Sequence, residues 1–188
     1  MILSDVDIHK AINENRIKVT PLNASNIHAA GIDLTLGDKI KVFDSTNIEI
    51  IDPLAPNTYS LTKTIEVPQG KFLILHPNSF VLGITDEWIE MPDDIVGRIE
   101  GRSSFGRLGL SIHITAGFID PGFRGKLTLE IKNQNRIPIK LYTGMRVCQI
   151  AFMMLSSPAM VPYYKKHDSK YLNQDEPRES QIYQELAS

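Results

Sequence analysis

Leu-Thr-Leu-Glu-Ile-Lys, residues 127–132, alternates apolar and polar side chains, and this alternation decides the fold class. A period of two is that of a β-strand that turns one face to a core and the other face away from it. The same alternation recurs in runs that end at turn residues, at residues 32–36, 72–76 and 137–141. Repeated short strands with turns between them predict a mainly β protein, built as an antiparallel sandwich or barrel.

The two ends of the chain depart from this β pattern. Ser4, followed by Asp5 and Asp7, is typical of a helix N-cap with carboxylates in the first turn, so we expect a short N-terminal helix near residues 4–15. Residues 165–188 are polar and charged. Composition alone favours a frayed end for them, and the alternative is a segment that folds over a ligand or a neighbouring subunit.

Composition limits the classes of protein that the chain can represent. Its 188 residues, 42% of them hydrophobic, suit one domain with a core of ordinary size. A net charge of −2 and 7% aromatic residues argue against a nucleic-acid binder, which needs stacking platforms in a basic groove. Since no apolar run approaches the ~20 residues of a membrane helix and acidic residues come too early for a signal peptide, we expect a cytoplasmic protein that uses no membrane.

The stretch 101–107, Gly-Arg-Ser-Ser-Phe-Gly-Arg, concentrates groups that can bind an anion. We name it the Arg/Ser loop. Guanidinium groups pair with phosphate oxygens, and hydroxyl and backbone N–H groups add further donors. The stretch lacks the Walker pattern, so it predicts a different kind of polyphosphate site or, alternatively, a solvated connection between two elements.

A second candidate stretch is residues 115–123, Thr-Ala-Gly-Phe-Ile-Asp-Pro-Gly-Phe. Asp120 begins an Asp-Pro-Gly turn, in which proline presets φ and glycine accepts a positive φ. The carboxylate either only caps this turn or lies at the mouth of a pocket, where it would hold a sugar hydroxyl or orient a water.

Glu130 lies on the polar face of the strand quoted above, beside Thr128 and Lys132. If that face is open to solvent, Glu130 is an ordinary surface residue. If it lines a pocket, Glu130 is a candidate general base. The five histidines and the single cysteine, Cys148, show no spacing of zinc ligands, and the H-x-E…P-C-x-x-C signature of zinc deaminases is absent. We therefore expect no zinc, and any deamination would depend on a carboxylate.

Residues 101–130 as a whole resemble the core of the dCTP deaminase family, within the dCTP deaminase–dUTPase superfamily. The likeness includes the start Met-Ile-Leu-Ser-Asp and the run Gly-Ile-Asp-Leu-Thr-Leu-Gly at 31–37. It continues through 144–150, Ser-Pro-Ala at 157–159 and Lys-Tyr at 170–171. The resemblance implies a distorted, jelly-roll-like β-barrel of the dUTPase type, assembled as a homotrimer with active sites between subunits.

The resemblance also implies roles for particular residues. Glu130 would take a proton from the water that attacks C4 of cytosine, Ser103 would orient water and base, and Asp120 would bind the deoxyribose. Residues 165–188 would close over the nucleotide, and Mg²⁺ would accompany the phosphates without protein ligands. The implied nucleotide-binding positions are Arg102, Ser103, Ser104, Phe105, Gly106, Arg107, Asp120, Thr128, Leu129, Glu130, Gln149, Tyr163, Lys170 and Gln174.

Gly117 and Phe118 bear on the number of reactions. Ala-Gly-Phe-Ile-Asp at 116–120 resembles the bifunctional, dUMP-forming members, whereas many single-function deaminases carry His-Arg in place of Gly-Phe. We expect deamination of dCTP followed by release of dUMP and diphosphate. The alternatives are a monofunctional deaminase that releases dUTP, a dUTP diphosphatase and a non-catalytic nucleotide-binding β-barrel. Inhibition by dTTP is a further implied property, and His113 and Thr115 lie where such a switch would act.

Overall fold

The structure, a computed structural model, describes residues 1–44, 50–53 and 61–185. Its α-helices are α1, Asp5–Asn13, and α2, Ser103–Gly106. Short 3₁₀ turns cover Ala24–Asn26, Tyr163–Lys165 and Ile182–Glu185. The strands are, in chain order, β1 Lys18–Thr20, β2 Ile27–His28, β3 Gly31–Thr35, β4 Lys39–Phe43, β5 Thr62–Glu66, β6 Phe72–Leu75, β7 Phe80–Ile84, β8 Trp88–Glu90, β9 Ile95–Gly101, β10 Leu110–Ser111, β11 Phe118–Ile119, β12 Arg124–Gly125, β13 Thr128–Asn133, β14 Ile139–Tyr142 and β15 Arg146–Met154.

The predicted N-terminal helix is present as α1, within the expected bounds. The Ser4 hydroxyl accepts a hydrogen bond from the Asp7 amide at 3.4 Å, which caps one of the amides left without a partner at a helix start. Ile8 and Ala11 are buried and turn one side of the helix towards the core. The chain then enters the β region.

Two five-stranded sheets hold most of the strands, in the orders β10-β13-β7-β4-β5 and β11-β9-β15-β3-β2. All strand pairs of both sheets are antiparallel. Leu129 and Ile131 of the first sheet and Ile150 and Phe152 of the second belong to the same buried cluster. The mainly β, jelly-roll-like prediction is therefore confirmed, with the described strands arranged as open sheets that share a core rather than as one closed barrel.

Strand β13 has the alternation that the sequence predicts. Leu129 and Ile131 are fully buried, whereas Thr128, Glu130 and Lys132 are half-buried on the opposite face. Glu130 is paired in register with Leu82 of β7, and Leu82 is paired with Lys41 of β4. Opposite residues of paired strands share a face, so Glu130, Leu82 and Lys41 form one row across the sheet.

Residues 166–185, which we name the C-terminal arm, pack against the body instead of fraying. Gln174 makes a parallel bridge to Gly125 of β12, the Lys126 amide donates to the Gln174 carbonyl at 2.9 Å, and the Asn173 amide donates to the Arg124 carbonyl at 2.7 Å. A β-carbon at Gly125 would lie 3.1 Å from the Gln174 backbone, so the close approach favours glycine. Within the described ranges, no helix is long and apolar enough to cross a membrane.

Candidate active site

A cavity of about 590 Å³ opens between β13, the loop before β11 and the C-terminal arm. Glu130 and Thr128 line it from the sheet, and Phe118 and Asp120 line it from β11 and the turn that follows. Tyr163, Lys170 and Gln174 line it from the arm side. The fold thus brings these predicted residues, which lie far apart in the sequence, around one space.

The Glu130 carboxylate is fixed by the loop before β11. Its Oε2 accepts hydrogen bonds from the amides of Ile114 at 3.1 Å and Thr115 at 2.8 Å. Its Oε1 accepts from the Thr115 hydroxyl at 3.2 Å. Because the amides hold one oxygen, the other keeps acceptor capacity for a ligand or water. Glu130 lines a cavity within the chain, which agrees with the pocket interpretation and not with an ordinary surface position.

Asp120 ends β11 and begins the predicted turn. The Phe123 amide donates to the Asp120 carbonyl at 3.1 Å, and Gly122 has a φ of +80° that glycine adopts without strain. The Asp120 side chain is exposed on the cavity wall. Tyr163 lies nearby, and its hydroxyl accepts a bond from the Tyr171 amide at 3.1 Å. Burial, aided by the Asp120 charge, raises the pKa of the Tyr163 phenol, which stays protonated near neutral pH.

Gln174 brings an unpaired acceptor to the cavity. Its side chain is 3% exposed, and its Nε2 donates to the Lys126 carbonyl at 2.7 Å. Among the described residues its Oε1 finds no donor. A buried acceptor without a partner is costly, so a ligand N–H group at this point would be stabilised.

Two cations of the arm line the same cavity. Lys170 pairs with the Glu185 carboxylate, and this hydrogen bond raises the pKa of the lysine. Arg178 is half-buried and its Nη1 donates to the Lys170 carbonyl at 3.2 Å. Sequence reasoning missed Arg178, because a charged residue in a polar tail gives no periodic signal.

Gly117 and Phe118 lie beside β9, and Phe118 lines the cavity there. The Ile99 amide donates to the Gly117 carbonyl at 2.8 Å, and a β-carbon at Gly117 would lie 3.1 Å from the Ile99 carbonyl oxygen. The Phe118 ring is 60% exposed and lies 5.6 Å from the Arg98 guanidinium carbon. Glycine therefore fits at position 117, whereas any larger residue there would bring its β-carbon into tight contact with the β9 backbone.

Three more predicted residues, Leu129, His113 and Thr115, relate to the cavity in three different ways. Leu129 is fully buried in the core, so only its backbone can face the cavity. His113 lines the cavity, and neither ring nitrogen has a hydrogen-bond partner within the described part of the chain. Thr115, by contrast, contacts Glu130 directly through its amide and hydroxyl.

The Arg/Ser loop does not line this cavity within one chain. Ser103, Ser104, Phe105 and Gly106 form α2, and Arg107 follows it. Phe105 packs on the core, whereas Ser103, Ser104, Gly106 and Arg107 are exposed. Gln149 is also exposed, on β15, in register with Glu100 and Asp33. The predicted nucleotide-binding residues thus divide into a cavity group and an outward-facing group.

Arg102 is held by a buried carboxylate that sequence reasoning did not single out. Asp33 is 2% exposed, and its Oδ2 lies 3.4 Å from Arg102 Nε, 3.4 Å from Arg146 Nη1 and 3.1 Å from His28 Nε2. Arg102 Nη1 also donates to the Arg146 carbonyl at 3.0 Å. The signal in the sequence was a carboxylate at position 33 between two apolar residues of a buried strand.

The metal and thiol chemistry of the described residues is limited. No group of three or more His, Cys, Asp or Glu among them is placed to hold a metal ion. Cys148 is buried, and this burial raises the pKa of its thiol, so the thiolate nucleophile is disfavoured.

Comparison with known proteins bears on family and fold. The model of the dCTP deaminase-like family matches residues 2–155. A Dictyoglomus turgidum protein named dCTP deaminase, dUMP-forming, is 47% identical over 184 residues, covering 97% of this chain and 95% of that protein. A Thermomicrobium roseum protein named dCTP deaminase is 44% identical over 190 residues, covering 100% of this chain and 96% of that protein.

A solved structure agrees with this assignment at the level of fold. The 2'-deoxycytidine 5'-triphosphate deaminase of Agrobacterium tumefaciens superposes with a TM-score of 0.64 at 23% identity, over 81% of this chain and 47% of that longer chain. At this identity the likeness shows a shared fold. With the family match over most of its length and the two close relatives, the chain belongs to the dCTP deaminase-like family.

Proposed function

We propose that this protein is a hydrolase that deaminates dCTP at C4 of cytosine and then cleaves the product to dUMP and diphosphate. The observation that carries the proposal is the Glu130 carboxylate, oriented by two backbone amides on a cavity wall. The name of the Dictyoglomus turgidum relative, dCTP deaminase, dUMP-forming, supports both steps. Such an enzyme would supply dUMP, the pyrimidine precursor of dTTP, and we expect it in the cytoplasm with the other enzymes of that pool.

Deamination would begin with a water held by Glu130. The carboxylate accepts a proton from this water as its oxygen bonds to C4 and delivers that proton to N3 of the ring; it then carries the remaining proton of the C4 hydroxyl to the amino group. Ammonia leaves and the C4 carbonyl forms, so dCTP and water give dUTP and ammonia. The buried Gln174 Oε1, which needs a donor, suits the cytosine amino group beside it.

The second reaction would use Asp120. Its carboxylate, at the cavity wall, would orient a water for attack on the phosphate chain. The water oxygen bonds to the phosphorus next to the sugar as the bond to the diphosphate breaks. Gly117 and Phe118, at the edge beside it, support this assignment because Gly-Phe resembles the dUMP-forming pattern.

We propose a homotrimer in which each site is shared. Within one chain the cavity holds the carboxylates, Lys170 and Gln174, while Ser103, Arg107 and Gln149 face outwards from other surfaces. A neighbouring subunit that docks its Arg/Ser loop at the cavity would supply the guanidinium and hydroxyl groups for the triphosphate. A closed ring of three subunits gives every cavity such a neighbour.

Mg²⁺ would accompany the triphosphate. Phosphate oxygens are donors that Mg²⁺ prefers, so the ion would be held through the triphosphate without protein ligands. When bound through the phosphates, the ion would offset their negative charge. We assign water activation to Glu130 and not to zinc, so a zinc-selective chelator should leave deamination unchanged while removal of Mg²⁺ should weaken it.

We further propose that dTTP occupies the same cavity as an inhibitor. His113 brings two buried ring nitrogens without partners to the cavity wall, close to Thr115, which orients Glu130. A ligand that rearranged this loop would displace the amides that hold the carboxylate. Initial rates at fixed dCTP with increasing dTTP measure this directly.

A monofunctional deaminase is the second candidate, because the Thermomicrobium roseum relative is named dCTP deaminase without the second step. One experiment separates the candidates: purified protein is incubated with dCTP and Mg²⁺, and ammonia, dUTP, dUMP and diphosphate are followed. Direct formation of dUMP and diphosphate supports two reactions, and accumulation of dUTP with ammonia supports one. No product from dCTP with turnover of added dUTP leaves a dUTP diphosphatase, and binding without any product from either nucleotide leaves a nucleotide-binding β-barrel.

A further inference from the structure

The C-terminal arm crosses the sheet face that carries Glu130. The Arg178 amide donates to the Thr128 hydroxyl at 3.3 Å, two positions along β13 from Glu130. Further along the same row of the sheet lies Lys41 of β4, with Lys39 one step away on the same face. The arm therefore lies over both β13 and β4.

Two acidic residues of the arm meet these two lysines. Glu179 lies 3.1 Å from the Lys41 ammonium, and the exposed fractions of the two side chains are 9% and 18%. The Thr62 hydroxyl of β5 donates a further hydrogen bond to Glu179. Glu176 pairs with Lys39, and this hydrogen bond raises the pKa of the lysine. Opposite charges on the arm and on β4 are thus matched pair by pair.

Neither Lys39 nor Lys41 is part of the cavity lining. Gln174, two positions before Glu176, and Arg178, directly before Glu179, line the cavity, as does Leu82, the β7 neighbour of Lys41. Arg178 in turn bonds the carbonyl of Lys170 at 3.2 Å. The two ion pairs therefore hold in place arm residues that line the cavity. Their lysines are not part of the lining.

We propose that the pairs Lys39–Glu176 and Lys41–Glu179 form a latch that positions the arm for nucleotide binding. Glu176, Glu179, Lys39 and Lys41 are positioning residues in this proposal, which rests on the proposed dCTP hydrolysis. A protein whose arm is always docked binds dCTP with its full affinity. When the arm is docked only part of the time, the apparent affinity for dCTP falls to the full affinity multiplied by the docked fraction. The latch thus sets the apparent affinity for dCTP and leaves the bond-breaking step unchanged.

The test reverses the charges of the better buried pair. Glu179→Lys places two cations together and should raise the KM for dCTP about tenfold, with kcat within about twofold of wild type. Lys41→Glu combined with Glu179→Lys restores opposite charges and should return KM towards the wild-type value, which a loss of packing alone would not do. Lys63→Glu is the matched control, because Lys63 of β5 pairs with Asp44 and forms no ion pair with the arm among the described residues.

Limited trypsin digestion gives a readout that needs no turnover. The arm carries Lys166, Lys170 and Arg178, so cleavage within it measures how often it leaves the body. Because Glu179→Lys itself adds a trypsin site, cleavage after Lys166 and Lys170 is followed by mass spectrometry. It should be faster in Glu179→Lys than in wild type and slow again in the doubly reversed protein, which carries the same added site. If wild type does not convert dCTP, the proposed function fails, and digestion still decides the latch.

Equal KM and equal cleavage rates for wild type and Glu179→Lys would overturn the latch, as would a doubly reversed protein no better than the single variant. If Glu179→Lys fails to fold, Glu179→Gln replaces it. This variant removes the charge and keeps the shape, and it should show the same two changes to a smaller degree.

Discussion

The cavity and the Arg/Ser loop differ in how much of each is complete within one chain. The cavity has a carboxylate, Glu130, already oriented by backbone amides, and a covering arm that is docked on the sheet. In the Arg/Ser loop, Arg102 is tied to the buried Asp33, but Ser103 and Arg107 face outwards from a single short helical turn. The first region has its polar groups in place around an internal space, whereas the second region exposes its polar groups on the surface of the chain.

This difference teaches how a small chain can form an enclosed nucleotide site. A base needs a few groups at fixed positions, which one sheet face and one arm provide. A triphosphate needs several cations and hydroxyl donors, which repel or compete with one another when gathered in one small chain. In the proposed homotrimer, each chain would keep the two sets apart until they meet around the substrate.

The largest expected effect comes from removing the cavity carboxylate. Glu130→Gln keeps the size of the side chain and its contact with the Thr115 loop but cannot accept a proton, so deamination should fall by about 10³-fold or more. Ammonia release measures the rate, and titration calorimetry with dCTP should still detect binding. An active Glu130→Gln protein would remove the basis for the proposed mechanism.

Next in size is the loss of a guanidinium from the Arg/Ser loop. Arg107→Ala should lower kcat/KM for dCTP about 10²-fold, because a charge-assisted contact to the triphosphate is lost. Co-expression of Arg107→Ala and Glu130→Gln chains should then recover roughly a quarter of wild-type activity, if each site takes its cavity from one subunit and its loop from the next. A mixture as inactive as its components would mean that each site belongs to a single chain.

A smaller change should appear in the products. In a Gly117→His, Phe118→Arg protein, a β-carbon 3.1 Å from the Ile99 carbonyl would push β11 away from β9 by a few tenths of an ångström, next to Asp120. Because water attack on the phosphate depends on position, the ratio of dUTP to dUMP should rise about tenfold. Phe118→Arg alone is the comparison, since the Phe118 side chain is already exposed. An unchanged ratio in the double variant would separate this edge of the cavity from the second reaction.

The smallest effect on turnover is expected where neither region is touched. Glu87 is buried, and its carboxylate accepts bonds from the Thr35 amide at 2.9 Å and the Thr35 hydroxyl at 2.8 Å. Burial raises its folded pKa above the usual 4.5, so wild type loses stability as pH rises from 4.5 through the raised value. Glutamine does not titrate.

The free energy of unfolding of Glu87→Gln, relative to wild type, should therefore increase with pH across that range, while dCTP turnover is unchanged. Chemical denaturation at several pH values between about 4 and 8 measures the trend. A relative stability that fell with rising pH would show that the buried carboxylate is favoured when charged.

Much of the fold was predictable because it depends on local periodicity. The alternation around Glu130 predicted β13 and its polar face, and Ser4 with Asp7 predicted the start of α1. Local patterns carry such information because strand and helix periods are set by the backbone.

The rest depends on contacts between residues that are distant in the sequence. No local sequence pattern predicts that the amides of Ile114 and Thr115 hold the Glu130 carboxylate. The pairing of Arg102 with Asp33 has no local pattern either. Composition did not predict the docking of the arm, because it matches that of a solvated tail, while Glu176 pairs with Lys39 on a strand more than a hundred positions earlier. Only the family resemblance implied that this segment closes. Whether Arg107 belongs to the same site as Glu130 depends on assembly, which a single sequence does not encode locally.

The folding of the arm back onto the cavity has a practical consequence for handling the protein. Glu185 lies on the cavity lining, so an affinity tag or fusion partner joined after the arm would start only a few residues along the chain from the cavity. At the other end, Ile2 pairs with Met153 and the Met1 carbonyl accepts from the Met154 amide, at the end of β15 in the other five-stranded sheet. Purification handles, surface tethers and reporter fusions therefore belong at the amino terminus.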